Sequence, residues 1–492
     1  MTPMSPRRAL AAGVAVLLLA AGCGLKTGAT DSLAVSGTVG GNGAANGAGA
    51  GGVGGTSGNN GAGGVTSGPG GSVGGGGVGG SGSGSNGSGG NNNPGGGNNL
   101  PGGCAVPSGG NTTGITSSTI NIGLHAPLTG TGLPFPNTSF RIGAQKFWDQ
   151  PGHTVCGRKV HVDFQDDTYK PDQANVVCKE MTSHDFLVIG GAGTDQIQAC
   201  ATNPTIQRTG TPYLSAGVTS NGLTNLKNYF ALSLTYAQQG DLVVRNAKDH
   251  GFLNPKAAKT GKKWAIITGN SGNFDDATAG ITAALDAANI TYDVQRINQN
   301  GNYQSEADAR GRQLAADGYK TIFVDAAPGY FIFLAGGYYK QSGLPSVNWT
   351  GPGVTFTEMT VAQVICGNTG RLIDRHAWFL SPAPGYDRVT SDFVKAYGGK
   401  YDDIEWGLWG LSAILWDLLK NASGNLTREN FISRTLQATV PGSVYPPLVY
   451  GGKTHFGGTG AWSQLINCRK AESNQNGKPG SWDTVGSTYL KR

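Results

Sequence analysis

From Thr119 onward the chain alternates short runs of β-branched and other apolar residues with segments whose apolar positions recur every three to four residues. Strands and helices in turn give that pattern. Thr119 to Leu124 reads as a buried strand, Phe140 to Trp148 as a helix, and Lys159 to Phe164 as a strand with Val160, Val162 and Phe164 on one face. Pro171 stands where a helix favours proline, and Val176, Val177 and Met181 give that helix its apolar stripe. Strand Phe186 to Ile189, helix Gln196 to Arg208 and strand Pro212 to Leu214 follow. Such β-α-β repetition predicts a parallel sheet covered on both faces.

A second run of the same kind begins after Tyr236. Leu242 and Val243 lie on a helix, Trp264 to Thr268 form a strand, and Ile281, Ala284, Leu285 and Ala288 repeat at helical spacing. Strand Thr291 to Ile297, a helix around Ala307 to Ala316, strand Thr321 to Asp325 and helix Tyr330 to Gln341 follow. The expected fold class is therefore α/β, with two doubly wound parallel-sheet lobes. The tail has helices near Ser391 to Tyr397 and Trp406 to Leu419 and short strands after Pro447, too little for a third domain, so it is expected to complete both lobes. Trp406, Trp409 and Trp416 fall at helical spacing and read as core.

Upstream the pattern vanishes. Between Ser32 and Gly103 there is no charged residue, and the segment is built of Gly, Asn, Ser, Ala and Thr with scattered Val and Pro. It cannot bury a core and is predicted to be a disordered tether with a root-mean-square span of about 45 to 50 Å. Further upstream, Arg7 and Arg8 precede an apolar run from Ala9 to Ala21 and then Gly22-Cys23, which is signal-peptide grammar and too short to span a bilayer. Leu19-Ala20-Ala21-Gly22-Cys23 resembles the lipobox of bacterial lipoproteins, with Ala20 where Leu is usual. The resemblance implies a signal peptide over 1–22, an acylated Cys23, and a lipid-anchored linker over 23–117. Arg7-Arg8 after Ser5 also resembles a twin-arginine signal, which leaves the export route open.

A net charge of +6 with 13% charged residues, and no stripe of Lys and Arg, argues against a nucleic-acid partner. Beyond Cys23, export places Cys104, Cys156, Cys178, Cys200, Cys366 and Cys468 where disulfides persist. Sequence alone fixes no pairing, and no pair has the close spacing of a zinc site, so no metal or cofactor is expected.

Open parallel sheets bind ligands at the carboxyl ends of their strands. Those ends are polar and glycine-rich here: His125-Ala126-Pro127-Leu128-Thr129-Gly130, Gln165-Asp166-Asp167, Gly190-Gly191-Ala192-Gly193-Thr194-Asp195 and Ser215-Ala216-Gly217-Val218-Thr219-Ser220. Together with Ile120-Asn121-Ile122-Gly123, Pro171-Asp172-Gln173-Ala174, Val188-Ile189-Gly190 and Gly351-Pro352, their order resembles the type I periplasmic binding proteins of the leucine/isoleucine/valine class, over about Ser118 to Tyr489. The resemblance implies two lobes joined by a hinge of several crossings, near Tyr236, His376 and Val449. One lobe would take 118–236 plus about 377–449, the other 237–376 plus about 450–492. Cys178 and Cys200 also resemble a disulfide of that family and of actinobacterial relatives, and Cys366 with Cys468 and Cys104 with Cys156 are the further pairs expected.

Carried over to this chain, the family pattern puts an aromatic wall at Phe135, backbone and hydroxyl groups for a ligand carboxylate at Asp195, Gln196, Gly217 and Thr219, and a lid aromatic at Phe274. Two positions depart from the amino-acid-binding relatives. Gly353 follows Gly351-Pro352 where those relatives carry an acid for the ligand's ammonium, and Asp195 would repel a ligand carboxylate. Asp325 reads either as a replacement cation site or as a helix N-cap. The implied function is capture of a small polar solute, an amino acid or another compound, and its delivery to an ABC permease from the outer face of the membrane. A sensor signalling to a partner protein has the same fold.

Enzyme motifs are absent. There is no H-E-x-x-H and no P-loop, and Gly269-Asn270-Ser271-Gly272-Asn273 lacks the second glycine of a nucleophile elbow. Asp166-Asp167 reads as cap and mouth residues rather than a catalytic pair.

Overall fold

The computed structural model describes Cys104 and residues 107–129, 139–252, 264–298, 303–342, 347–353, 357, 359–472 and 477–492. The leader, Cys23, the glycine-rich segment and Phe135 lie outside these residues. In the first lobe β1 (Thr119–Ala126) leads to α1 (Ser139–Lys146), β2 (Thr154–Val155), β3 (Arg158–Asp166), α2 (Pro171–Met181), β4 (Leu187–Gly190), α3 (Thr194–Ala201), α4 (Pro204–Thr209), β5 (Tyr213–Ser215) and β6 (Tyr229–Ala231). The strands form one sheet in the order β2-β3-β1-β4-β5-β6, parallel except for β2.

The chain then crosses into the second lobe through α5 (Tyr236–Asp249), β7 (Trp264–Gly269), α6 (Asp275–Ala287), β8 (Tyr292–Ile297), α7 (Tyr303–Ala316), β9 (Thr321–Asp325), α8 (Pro328–Ser342), β10 (Asn348–Pro352), α9 (Met359–Asn368) and β11 (Ala377–Ser381). It returns to the first lobe for α10 (Ser391–Tyr397), α11 (Asp403–Asn421), α12 (Arg428–Gln437) and the small pair β12 (Thr439–Val440) and β13 (Leu448–Val449). β14 (Gly460–Ala471) and β15 (Pro479–Lys491) finish the second sheet, whose order is β15-β14-β11-β10-β9-β7-β8.

Central strands read as unbroken apolar runs because both faces are covered. Every residue of β4, β7 and β9 is buried. In the first lobe α1 and α11 cover one face and α2, α3 and α4 the other. In the second, α5 and α6 lie on one face and α7, α8 and α9 on the other. The α5–α6 contact depends on glycine at both crossing points: a Cβ on Gly240 would stand 2.4 Å from the Gly280 carbonyl carbon. α5 starts at a capping box, with Thr235 and Gln238 each bonding the other's backbone N–H, and α11 starts at another, between Asp402 and Glu405.

Three expectations are corrected. The helix read across Gln196 to Arg208 is two helices, because Pro204 has no N–H to continue the ladder and the Asn203 side chain accepts from Thr205 N–H at 2.8 Å to start a new one. The tail strands are not short: β14 and β15 run 12 and 13 residues and add antiparallel to the edge at β11. Finally, Ala377–Ser381 pairs with β10 and β14, so the second crossing follows Ser381 rather than His376.

The disulfides are Cys178–Cys200 between α2 and α3, Cys366–Cys468 between α9 and β14, and Cys104–Cys156, which ties the segment before β1 to the β2–β3 turn. These are the three expected pairings, of which Cys178–Cys200 rested on the family resemblance. Among the described residues no helix is long and apolar enough to cross a membrane.

Candidate functional site

A cavity opens between the lobes at the carboxyl ends of β4, β5 and β11. Gly191, Ala192 and Ala216 reach it from the first sheet, and Ser381 to Tyr386, the second crossing, from the hinge. It offers ≈ 110 Å³ to the centres of water-sized molecules, room for several waters. Its walls are largely apolar: Trp406, Leu408 and Tyr445 stand on the first-lobe side, Met359 and Trp482 on the second. Trp406 is held in place by its indole N–H, which donates to the Pro384 carbonyl at 3.1 Å. It is thus both core, as its spacing predicted, and cavity wall.

Two acceptors interrupt the apolar lining. Gln464, on β14, donates its amide N–H to the Ala383 carbonyl at 2.8 Å, which leaves its buried Oε1 without a partner. Asp403, at the first position of α11, accepts from the Met359 N–H at 2.7 Å and so joins the start of α11 to the start of α9 across the cavity. Burial pushes Asp403 up to about 7, with the charge of neighbouring Asp402 adding to it, and pushes Glu405 up to about 8. Asp402 is raised by burial as well, although it accepts the Ser139 hydroxyl and the Glu405 N–H.

The residues carried over from family resemblance fall elsewhere. None of Asp195, Gln196, Gly217, Thr219, Phe274 and Asp325 lines this cavity. Two of them, Asp195 and Thr219, instead join the lobes to each other. Asp195 accepts from Asn273 and from the Ser271 hydroxyl of the second lobe. Thr219 donates to Asp276 at 3.2 Å, and its neighbour Ser220 donates to the same carboxylate from backbone and hydroxyl. The Gly217 N–H is taken by Ser233 Oγ at 2.8 Å, Gln196 is buried, and Phe274 is buried at the start of α6. Asp325 is buried beside Thr268, and burial together with the Asp276 charge holds its carboxyl well above the usual range. Gly353 has a steric reason: a Cβ there would stand 1.9 Å from the Leu380 carbonyl oxygen, so no acid fits. Asp166 and Asp167 are turn makers, Asp166 accepting from Leu128 and Thr168 N–H and Asp167 from Tyr169 N–H while holding His125 Nδ1 at 2.8 Å.

A family model described as periplasmic binding protein matches residues 119–470. The chain belongs to the periplasmic binding protein family. Solved structures share the fold of this periplasmic binding protein at low identity. A fatty acid ABC transporter substrate-binding protein from Thermomonospora curvata superposes with a TM-score of 0.61 at 17% identity, covering 79% of this chain and 96% of that one. A solute-binding protein from Rhodopseudomonas palustris, in complex with 3,4-dihydroxybenzoic acid, gives 0.59 at 16%, covering 76% and 98%. A leucine-binding protein from Thermotoga maritima gives 0.56 at 11%, covering 75% and 98%. No curated protein matches the sequence.

Among the described residues of this periplasmic binding protein, two groupings bring possible metal donors within 4.8 Å of one another. In the first, His125 with Cys178 and Cys200, the sulfurs are committed to a disulfide. In the second, the His184 imidazole lies 3.0 Å from Asp163 and 3.4 Å from Asp185, and the hydrogen bond to Asp163 helps raise its pKa. The His184 imidazole already serves these two carboxylates.

Proposed function

We propose that the chain is an extracytoplasmic lipoprotein, anchored through Cys23, that captures a small solute between its lobes and delivers it to the permease of an ABC-type importer. The observation that carries this reading is the cavity at the strand ends, walled by both lobes and by the hinge segment Ser381 to Tyr386. Three chain crossings allow the lobes to hinge, and closure presents the permease with a loaded surface. The bonds from Asp195, Thr219 and Ser220 to the second lobe support a closed form held by direct contacts beside the cavity. Members of the same fold are named for fatty acids, dihydroxybenzoic acid and leucine, so solute class follows the lining and not the fold.

Native mass spectrometry of the full-length protein, purified without denaturation, tests the reading. A retained small molecule is expected, and X-ray scattering with that molecule added back is expected to show a smaller radius of gyration. An unchanged radius with the molecule bound would count against capture by closure.

A further inference from the structure

Beside the hydroxyls of Ser381 and Tyr445, which can donate or accept, two side chains of the lining offer acceptors to a ligand. Gln464 Oε1 is buried and unpartnered, and Asp403 is the one carboxyl group among the described lining residues. The neighbouring carbonyls of Ala383 and Pro384 already accept from Gln464 and Trp406, and the Thr357 hydroxyl donates to the Gly353 carbonyl at 2.7 Å. An acceptor left without a donor in a buried site is destabilising, so a ligand that supplies the donor gains by it. A ligand carboxylate would bring a further acceptor and would oppose ionisation of Asp403, whereas a ligand cation would favour it.

A ligand that brings N–H donors satisfies both groups at once. The aromatic faces of Trp406, Trp482 and Tyr445 suit the rest of such a molecule, since they pack against an apolar body and attract a cation held within about 6 Å of a ring centre. Resting on the reading of this chain as a solute-binding protein, we propose that the cavity selects a protonated organic amine with an apolar body, its N–H groups donating to Asp403 and Gln464.

Matched probes that share a body and differ in head group test this on the full-length protein: phenethylamine against 3-phenylpropionate, and tyramine against 4-hydroxyphenylacetate. Binding is read by calorimetry and by the fluorescence of the cavity tryptophans. The amine of each pair is expected to bind more tightly than its carboxylate by about tenfold or more, a gap of roughly 1.4 kcal/mol. Asp403→Asn is expected to erase most of that preference, and Gln464→Met to weaken the amine without admitting the carboxylate. Tighter binding of the carboxylates, amine binding that neither substitution alters, or no binding of any probe at millimolar concentration would each overturn the proposal. None of these outcomes touches solute capture itself, which the retained-ligand and scattering measurements decide separately.

Discussion

Asp276, in the first turn of α6, accepts the backbone N–H of Ser220 at 2.6 Å and its hydroxyl at 2.7 Å, and the two residues belong to different lobes. Thr219 adds a third donor to the same carboxylate. Hydrogen bonds to a charged group contribute about 1.5–3 kcal/mol each. Asp276→Ala is therefore expected to shift the balance between closed and open lobes by about 2 kcal/mol, roughly thirtyfold toward open. Scattering from the ligand-free protein would show it as a larger radius of gyration. Asp241→Ala, which removes only an exposed pair with Arg245 on α5, should leave the radius unchanged.

The buried acids at the start of α11 give stability a pH dependence of definite sign. Burial raises Asp403 to about 7 and Glu405 to about 8, and Asp402 upward, so the folded state holds protons that the unfolded chain has released above about pH 4. Stability therefore falls as pH rises from about 4.5 to 8. Asp185, raised to about 7 by burial, acts in the same direction, and so does His184, whose raised pKa yields stability that is lost as it deprotonates. The half-buried His250 and His376, pushed down by burial, oppose the trend only below about pH 6.5. The expected outcome is a melting temperature lower by roughly 3–5 °C at pH 8 than at pH 5.5, and a flatter profile for Asp403→Asn with Glu405→Gln.

Strands buried on both faces were legible because nothing but an apolar run can occupy them, as in Leu187–Gly190 and Thr321–Asp325. β15 was not: as an edge strand it is half exposed, and its run of Asp, Thr, Gly, Ser and Thr obeys no period. Pro204 marked a break that the apolar stripe through Ile197 and Ile206 disguised. Of the strand-end loops, Gly191, Ala192 and Ala216 line the cavity. Its polar groups were hidden because Asp403 sits inside a capping box, where an acid has a sufficient local explanation, and Gln464 lies on an antiparallel strand far from those loops in sequence. The only sequence signal was the density of acids at Asp402, Asp403 and Glu405, more than one helix cap requires.

The two disulfides inside the lobes should contribute unequally. Cys178–Cys200 closes a loop of 22 residues and Cys366–Cys468 one of 102. If cross-links act mainly by restricting the unfolded chain, the longer loop contributes more by about 1 kcal/mol. Replacing both cysteines of each pair by serine and measuring urea unfolding is expected to rank the losses in that order. The reverse order would mean that tight packing of α2 on α3, where both Cys178 and Cys200 are fully buried, outweighs loop closure.

Arg428 fastens the returning segment to the first lobe. It opens α12, is 1% exposed, and donates to the carbonyls of Phe186 and Thr182 at 3.0 Å each, and to those of Asp185 and Thr209. Burial pulls its pKa down only to about 10, so it remains charged at neutral pH. No carboxylate neutralises it directly; its charge is spread over carbonyl dipoles at the loop before β4 and the end of α4. Arg428→Met keeps much of the volume but strands those carbonyls, and a loss of about 3–5 kcal/mol is expected. Arg428→Lys should recover little of it, because an ammonium on a shorter stem cannot serve carbonyls spread along a fork. Urea midpoints for the two variants check this, and a lysine variant equal to the wild type would show that charge alone, without the fork, holds α12 to the sheet.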